Sequence, residues 1–206
     1  MIAKTDQSAI DAAMMARCIH LSKEAAGHGE LPFAAIVCRG AEVIAESSNH
    51  VVKDGDITRH AEIVALAEAQ KILGRGQLNR CTLYTTVEPC AMCSFASREA
   101  RISRVVFSIK SPMMGGLSKW NVLRDTELSD AMPEVFGPVP EIIGGLSRSE
   151  AEKVWEAWNP LFWVFMKRRG YLGGNAGTSE DEHLHAPPER PSWLRRIFRL
   201  HSRGEA

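Results

Sequence analysis

No apolar run in this 206-residue chain approaches the roughly 20 residues needed to cross a bilayer. The amino terminus carries acidic and polar residues where a cleavable leader would have its apolar stretch, so the chain reads as cytoplasmic. Nor is there an excess of charge. Lys+Arg and Asp+Glu each number 25, split 20 against 20 up to Gly170 and 5 against 5 beyond it. Without a net field, nothing draws the whole chain to nucleic acid or to an anionic surface. Five cysteines, an odd number in a reducing compartment, argue against a disulfide framework. Cys18, Cys38 and Cys81 fall on apolar stretches and read as small core residues.

What is present is an α/β alternation. Ser8 to Ala26 repeats Ile10, Met14, Cys18, Leu21 and Ala25 at helical spacing and stops at Gly27 and Gly29. Pro32–Arg39 and Ala41–Ser48 flank Gly40 as a hairpin. His60–Leu73 is predicted helical, with Ile63, Leu66 and Ala67 inward; Cys81–Thr86 is predicted to be a strand. Cys90–Ala100 is predicted helical behind Pro89, and Arg104–Ile109 is a strand apolar enough to be covered on both faces. Leu117–Leu128 is predicted to be a short helix and Pro138–Ile143 a last strand. Ser147–Trp158 is amphipathic, broken at Asn159-Pro160 and resumed toward Arg169. This order predicts three α/β/α layers around one mixed sheet. Residues 1–170 form that domain in this reading. Residues 171–206 form a Gly-, Pro- and charge-rich linker and a short basic segment, with Trp193, Ile197 and Leu200 on one side.

The chemistry concentrates in two short stretches. His60-Ala61-Glu62 is followed, 30 positions after the histidine, by Pro89-Cys90-Ala91-Met92-Cys93. Zinc favours imidazole and thiolate, and a catalytic zinc takes three protein ligands and leaves its fourth place to water. His60, Cys90 and Cys93 supply three, and no fourth donor lies at a comparable spacing. A Cys-x-x-Cys pair at a helix start puts both sulfurs on one turn, where the positive end of the helix favours thiolate. Glu62 is placed to take a proton from a water on the metal, so that hydroxide attacks a ring carbon bearing an amino group, and to return the proton as ammonia leaves. The two halves together match the signature of zinc deaminases. A structural zinc would want a fourth Cys or His, and a redox Cys-x-x-Cys would need neither His60 nor Glu62.

With PFAAIV, AESSNHV, RHAEIVAL, CTLYTTVEPCAMC and ARISRVVF, the chain resembles the cytidine deaminase-like superfamily over roughly residues 8 to 165. It resembles in particular the branch of guanine deaminases, fungal-type cytosine deaminases and bacterial tRNA adenosine deaminases. The resemblance implies a five-stranded sheet between helices, one zinc ion per chain and a homodimer. It places Asn49, Phe33, Ala35, Ala61 and the segment at Glu88 around the substrate. Asn49 also reads as a plain turn residue after a strand. Departures from the pattern are Ala34 where glycine is common, Arg59 before the histidine, and Glu99 where relatives carry tryptophan or histidine. The expected substrate is a small amino-bearing heterocycle, a nucleobase or nucleoside, with purines such as guanine slightly preferred. The alternative is tRNA adenosine, on the strength of ARISRVVF, Gly115-Gly116 and the basic run Lys167-Arg168-Arg169. A zinc-stabilised binding protein without catalysis is a third reading, and Glu62 is the residue that argues against it. The aromatic group from Trp155 to Phe165 reads as core or interface packing, with a share in closing the pocket as the second possibility.

Overall fold

The computed structural model describes residues 4–74 and 76–173. The predicted linker from residue 174 onward, and the basic segment after it, lie outside the described residues. The chain runs α1 (Lys4–Gly27), β1 (Ala34–Arg39), β2 (Glu42–Ser48), α2 (Val51–Asp54), α3 (Ala61–Leu73), β3 (Thr82–Val87) and α4 (Ala91–Glu99). It continues through β4 (Arg104–Ile109), α5 (Thr126–Ala131), β5 (Glu141–Gly144), α6 (Arg148–Trp158) and α7 (Pro160–Arg168). The five strands form one mixed sheet in the order β2-β1-β3-β4-β5. β1 is antiparallel to both β2 and β3, while β3, β4 and β5 run parallel. The expected mixed five-stranded sheet with helices on both faces is what the chain forms.

Strand alternation divides the core in two. Ala35, Val37, Leu83, Val105 and Phe107 face α3, with Ala61, Ala65, Leu66 and Ala69 packed on them. Ala34, Ile36, Cys38, Tyr84 and Val106 face α1 through Met15 and Cys18. β3 is buried at every position, and β4 at every position after its first, as befits central strands covered on both sides. Cys18, Cys38 and Cys81 are fully buried. A third cluster, with Trp155 and Trp163 at its centre, sits at the carboxyl end of β3 and β4 on Val87 and Ile109. It is tied together by rings: Trp155 lies 5.1 Å from Phe33 edge to face, and 5.9 Å from Trp158 and from Trp163.

Three expectations are corrected. The buried stripe of α1 is Asp11, Met15, Cys18, Ser22 and Ala25, whereas Ile10, Met14 and Leu21 are only half-buried. The helix is rotated because Asp11 turns inward. It accepts hydrogen bonds from Tyr84 Oη at 2.6 Å and from both terminal nitrogens of Arg104 at 3.0 Å. In α3 the inward residues are Ala61, Glu62, Val64, Ala65, Leu66 and Ala69; Ile63 and Ala67 are half-buried beside a surface groove. Leu117–Leu128 is not one helix. Its first part is spent as a loop whose backbone N–H groups bind Glu88, Asn121 turns the chain at φ 54°, and α5 begins only after Asp125 caps it through Leu128 N.

Candidate active site

His60 and Cys90 are the residues immediately before α3 and α4, each in extended backbone, with its carbonyl accepting the first helical hydrogen bond (from Val64 N and Ser94 N). Neither side chain caps its helix. They turn toward each other instead, so the positive ends of two helices converge on one point. Cys93, one turn into α4, completes the group. His60 Nδ1 lies 3.6 Å from Cys90 Sγ and 3.4 Å from Cys93 Sγ, and the two sulfurs are 3.6 Å apart. Zn–S bonds of about 2.3 Å and Zn–N bonds of about 2.0 Å in tetrahedral array put donors about 3.5–3.8 Å apart. The donor set and its spacing therefore fit zinc. Among the described residues this is the one group of three His, Cys, Asp or Glu whose donor atoms lie close enough together for a metal ion.

The three donors shift one another's protonation, and the Cys90 contact raises His60. Hydrogen bonds from Cys93 and His60 outweigh burial and pull the Cys90 thiol down to about 4. Cys93 is pushed up by the same Cys90 contact and by burial, as expected when two thiols share one proton. Glu62, on the first turn of α3, is 8% exposed. Its burial first, and then the neighbouring Cys90, raise its carboxyl to about 7.

These groups open onto a cavity of about 180 Å³ lined by His60, Glu62 and Cys90 on one side. Leu31, Phe33, Asn49, Met114, Met166 and Leu172 also line it. Asn49 is 3% exposed, its backbone N–H bonded to Phe33 O and its side-chain Nδ2 to Glu30 Oε2 at 2.9 Å. Of the remaining sequence candidates, Ala35 and Ala61 are fully buried in the core against the sheet and do not line this cavity. Glu88 borders it, yet its carboxylate is engaged elsewhere. It accepts from Ser111 N at 2.9 Å, Leu117 N at 3.0 Å, and both Ser118 N and Ser118 Oγ at 2.6 Å. This clamp draws the 111–118 loop against the metal helix so closely that a Cβ on Gly115 would run into the Glu88 carboxylate, and one on Gly116 into Ser94. Glu99 faces away, on a separate surface groove with Ile63 and Arg101. Arg59 pairs with Asp54 at 3.1 Å.

Sequence reasoning did not pick out Glu30, Met114 or Leu172. Glu30 lies in a polar Gly-His-Gly-Glu turn without periodicity, and Leu172 sits just past the expected domain boundary. Leu172 is 3% exposed, and Gly173 N bonds Lys110 O, so the packed chain runs on through Gly173.

A three-layer α/β/α fold with a His-Cys-Cys zinc group at the start of two helices, beside a buried glutamate, defines a zinc-binding deaminase fold. Residues 8–109 match the family described as the cytidine and deoxycytidylate deaminase zinc-binding region. The chain is 37% identical to a tRNA-specific adenosine deaminase of Aquifex aeolicus, over 58% of its own length and 80% of that protein. It is 34% identical to a probable cytosine deaminase of Schizosaccharomyces pombe, over 71% and 84%. The chain belongs to the cytidine deaminase-like superfamily. It also matches, at 37% identity, a tRNA(Ile)-lysidine synthase of Deinococcus deserti, of which it spans only 25%. A solved structure from a study of tRNA:A34 deaminases superposes with a TM-score of 0.60 at 28% identity, covering 69% of this chain and 99% of that one. The guanine deaminase from Nitrosomonas europaea superposes with a TM-score of 0.60 at 25% identity, covering 72% and 84%.

Proposed function

We propose that the protein is a zinc-dependent aminohydrolase that replaces the exocyclic amino group of a small nitrogen heterocycle by oxygen. The observation that carries this is the buried Glu62 carboxyl sharing one cavity with His60 and Cys90, which with the buried Cys93 form a group of three zinc donors 3.4–3.6 Å apart. His60, Cys90 and Cys93 would hold the zinc ion, which when bound would make water acidic enough to act as the nucleophile near neutral pH. Glu62 accepts one proton from the attacking water and delivers it to the ring nitrogen, then carries the second proton from the added oxygen to the leaving amino group. In balance, a C–O bond forms, the C–N bond to the amino group breaks, and ammonia departs.

The size of the cavity supports a free base. Drug-sized ligands fill about 300–1,000 Å³, whereas about 180 Å³ between Phe33, Met114, Met166 and Leu172 suits one planar ring system. Ammonia release by the zinc-loaded protein from guanine, adenine, cytosine, their nucleosides and amino-triazines tests the reading. Turnover of one free base, absent in Glu62→Ala, is expected; silence across the panel overturns it.

The likeness to tRNA adenosine deaminases favours a second reading, tRNA as substrate. Such an enzyme extrudes a loop base and grips flanking phosphates, so its binding weakens steeply with salt. The basic run offers little support for this: Lys167 lies 3.9 Å from Glu156 and 4.9 Å from the Trp163 ring centre, already engaged. A mobility shift with an anticodon stem-loop at low salt decides it. The reading includes a cytoplasmic location and a homodimer. Exposed Met92 and Phe95 on the outer face of α4 support the dimer, which light scattering measures.

A further inference from the structure

Glu30 stands in the turn between α1 and β1, where Gly29 takes φ 85° and Glu30 N bonds back to Ala25 O. The side chain is folded inward and the residue is 5% exposed. Its carboxylate faces N–H groups: Asn49 Nδ2 at 2.9 Å and Val52 N at 3.3 Å on Oε2, and Lys53 N at 2.7 Å on Oε1. Asn49 and Val52 both line the cavity. A buried carboxylate that far from the metal ligands in sequence, spending its acceptors on the substrate wall, is costly unless those bonds define something.

They define the orientation of an amide. A carboxylate only accepts, so Asn49 must turn its nitrogen toward Glu30, and the oxygen becomes the atom it has left for a bound ring. We infer that Glu30 is a positioning residue that fixes the Asn49 amide with its oxygen toward the cavity, and thereby selects a ring presenting an N–H on that edge. The selection step rests on the deaminase reading above; the amide orientation does not.

Glu30→Gln tests it by reversing polarity. In that variant neither the Lys53 nor the Val52 backbone N–H can turn over, and the oxygen of the introduced carboxamide stays with the closer of the two, Lys53 N at 2.7 Å against 3.3 Å for Val52 N. The new NH₂ group therefore meets Asn49 and forces its amide to flip. The cavity then meets a donor where it had an acceptor. With guanine and cytosine as substrates of the zinc-loaded full chain, KM for the base that is turned over should rise about tenfold, with kcat changed much less. The double variant Glu30→Gln/Asn49→Asp again presents an acceptor to the ring and should recover most of the lost KM. A structural role alone would lower stability without this recovery. An unchanged KM in Glu30→Gln, or a double variant no better than the single, overturns the proposal. The Asn49 carboxamide protons of the wild-type protein give a readout independent of activity. One of them should be protected from solvent exchange in the NMR spectrum, and free exchange of both overturns the proposal. If neither base is turned over while that proton is protected, the free-base reading fails and the Glu30–Asn49 orientation stands.

Discussion

The corner that gathers His60, Cys90 and Cys93 draws its groups from two short stretches at helix starts, whereas the rest of the cavity wall collects Leu31, Phe33, Asn49, Met114, Met166 and Leu172 from separate parts of the chain. The corner is held by the two helices, whose alanine-rich faces and buried Cys93 pack against the sheet. The wall is held by aromatic packing around Trp155 and by two carboxylates, Glu30 and Glu88, each binding backbone N–H groups of a loop. In the proposed function, reaction type resides in the first region and substrate choice in the second. The two can therefore be disturbed separately, and substitutions on either side should show it.

The largest effect belongs to the corner. Cys93→Ala removes a buried ligand and should abolish stoichiometric zinc and with it all turnover, lowering thermal stability as well. Metal analysis showing one zinc per chain in that variant would break the assignment. Glu62→Gln should keep its zinc and lose about 10²–10⁴-fold in kcat, the usual worth of a positioned proton-transfer group. Full zinc with undiminished turnover would move the proton chemistry elsewhere.

The wall should fail differently. Trp155 is 1% exposed at the centre of its cluster, and Trp155→Ala should cost about 3–5 kcal/mol in urea unfolding. Zinc content should stay at one per chain while KM rises, because Phe33 loses the ring it packs against. Loss of zinc in the folded variant would show that the two regions are not separable.

The smallest effect concerns a contact remote from both. Burial acts to raise the Asp11 carboxyl, but hydrogen bonds from Arg104, Tyr84 and Gln7 outweigh it and hold it below the usual carboxylate range. A carboxylate depressed on folding contributes stability above its unfolded pKa and loses it as pH falls through the folded value. The stability difference between wild type and Asp11→Asn should therefore be full at pH 7 and shrink below about pH 4. Denaturation at pH 7 and pH 3 measures it. A difference independent of pH would mean that the Asp11–Arg104 pair does not fasten α1 to β4.

Much of this molecule was legible before its structure. The strands β3 and β4 announce themselves as continuous apolar and β-branched runs, and the break between α6 and α7 at Asn159-Pro160 follows from proline chemistry. Three places were not legible, each for a long-range reason. The face of α1 is set by Arg104 and Tyr84, 93 and 73 residues away, which make a charged Asp11 an inward residue. Residues 117–121 form a loop in which Glu88, about 30 positions earlier, binds the Leu117 and Ser118 N–H groups while Gly115 O takes those of Lys119 and Trp120. Ala35 and Ala61 belong to the core because β1 and α3 press their small side chains together, leaving the cavity to their neighbours.

Sequence by itself determined the set of reactive groups: a histidine, a glutamate two positions on, and two cysteines three apart, each at the start of a helix that the local pattern already predicts. Donors so close along the chain need only two helix starts to meet, and the strands that bring those starts together are encoded in equally local runs. Tertiary structure alone decided what the site can hold. The orientation of the Asn49 amide depends on a carboxylate 19 residues earlier. The depth of the cavity depends on Met166 and Leu172 returning from the far end of the described chain. Packing and hydrogen bonding between such distant segments follow no short period, so they become visible only when the chain has closed on itself.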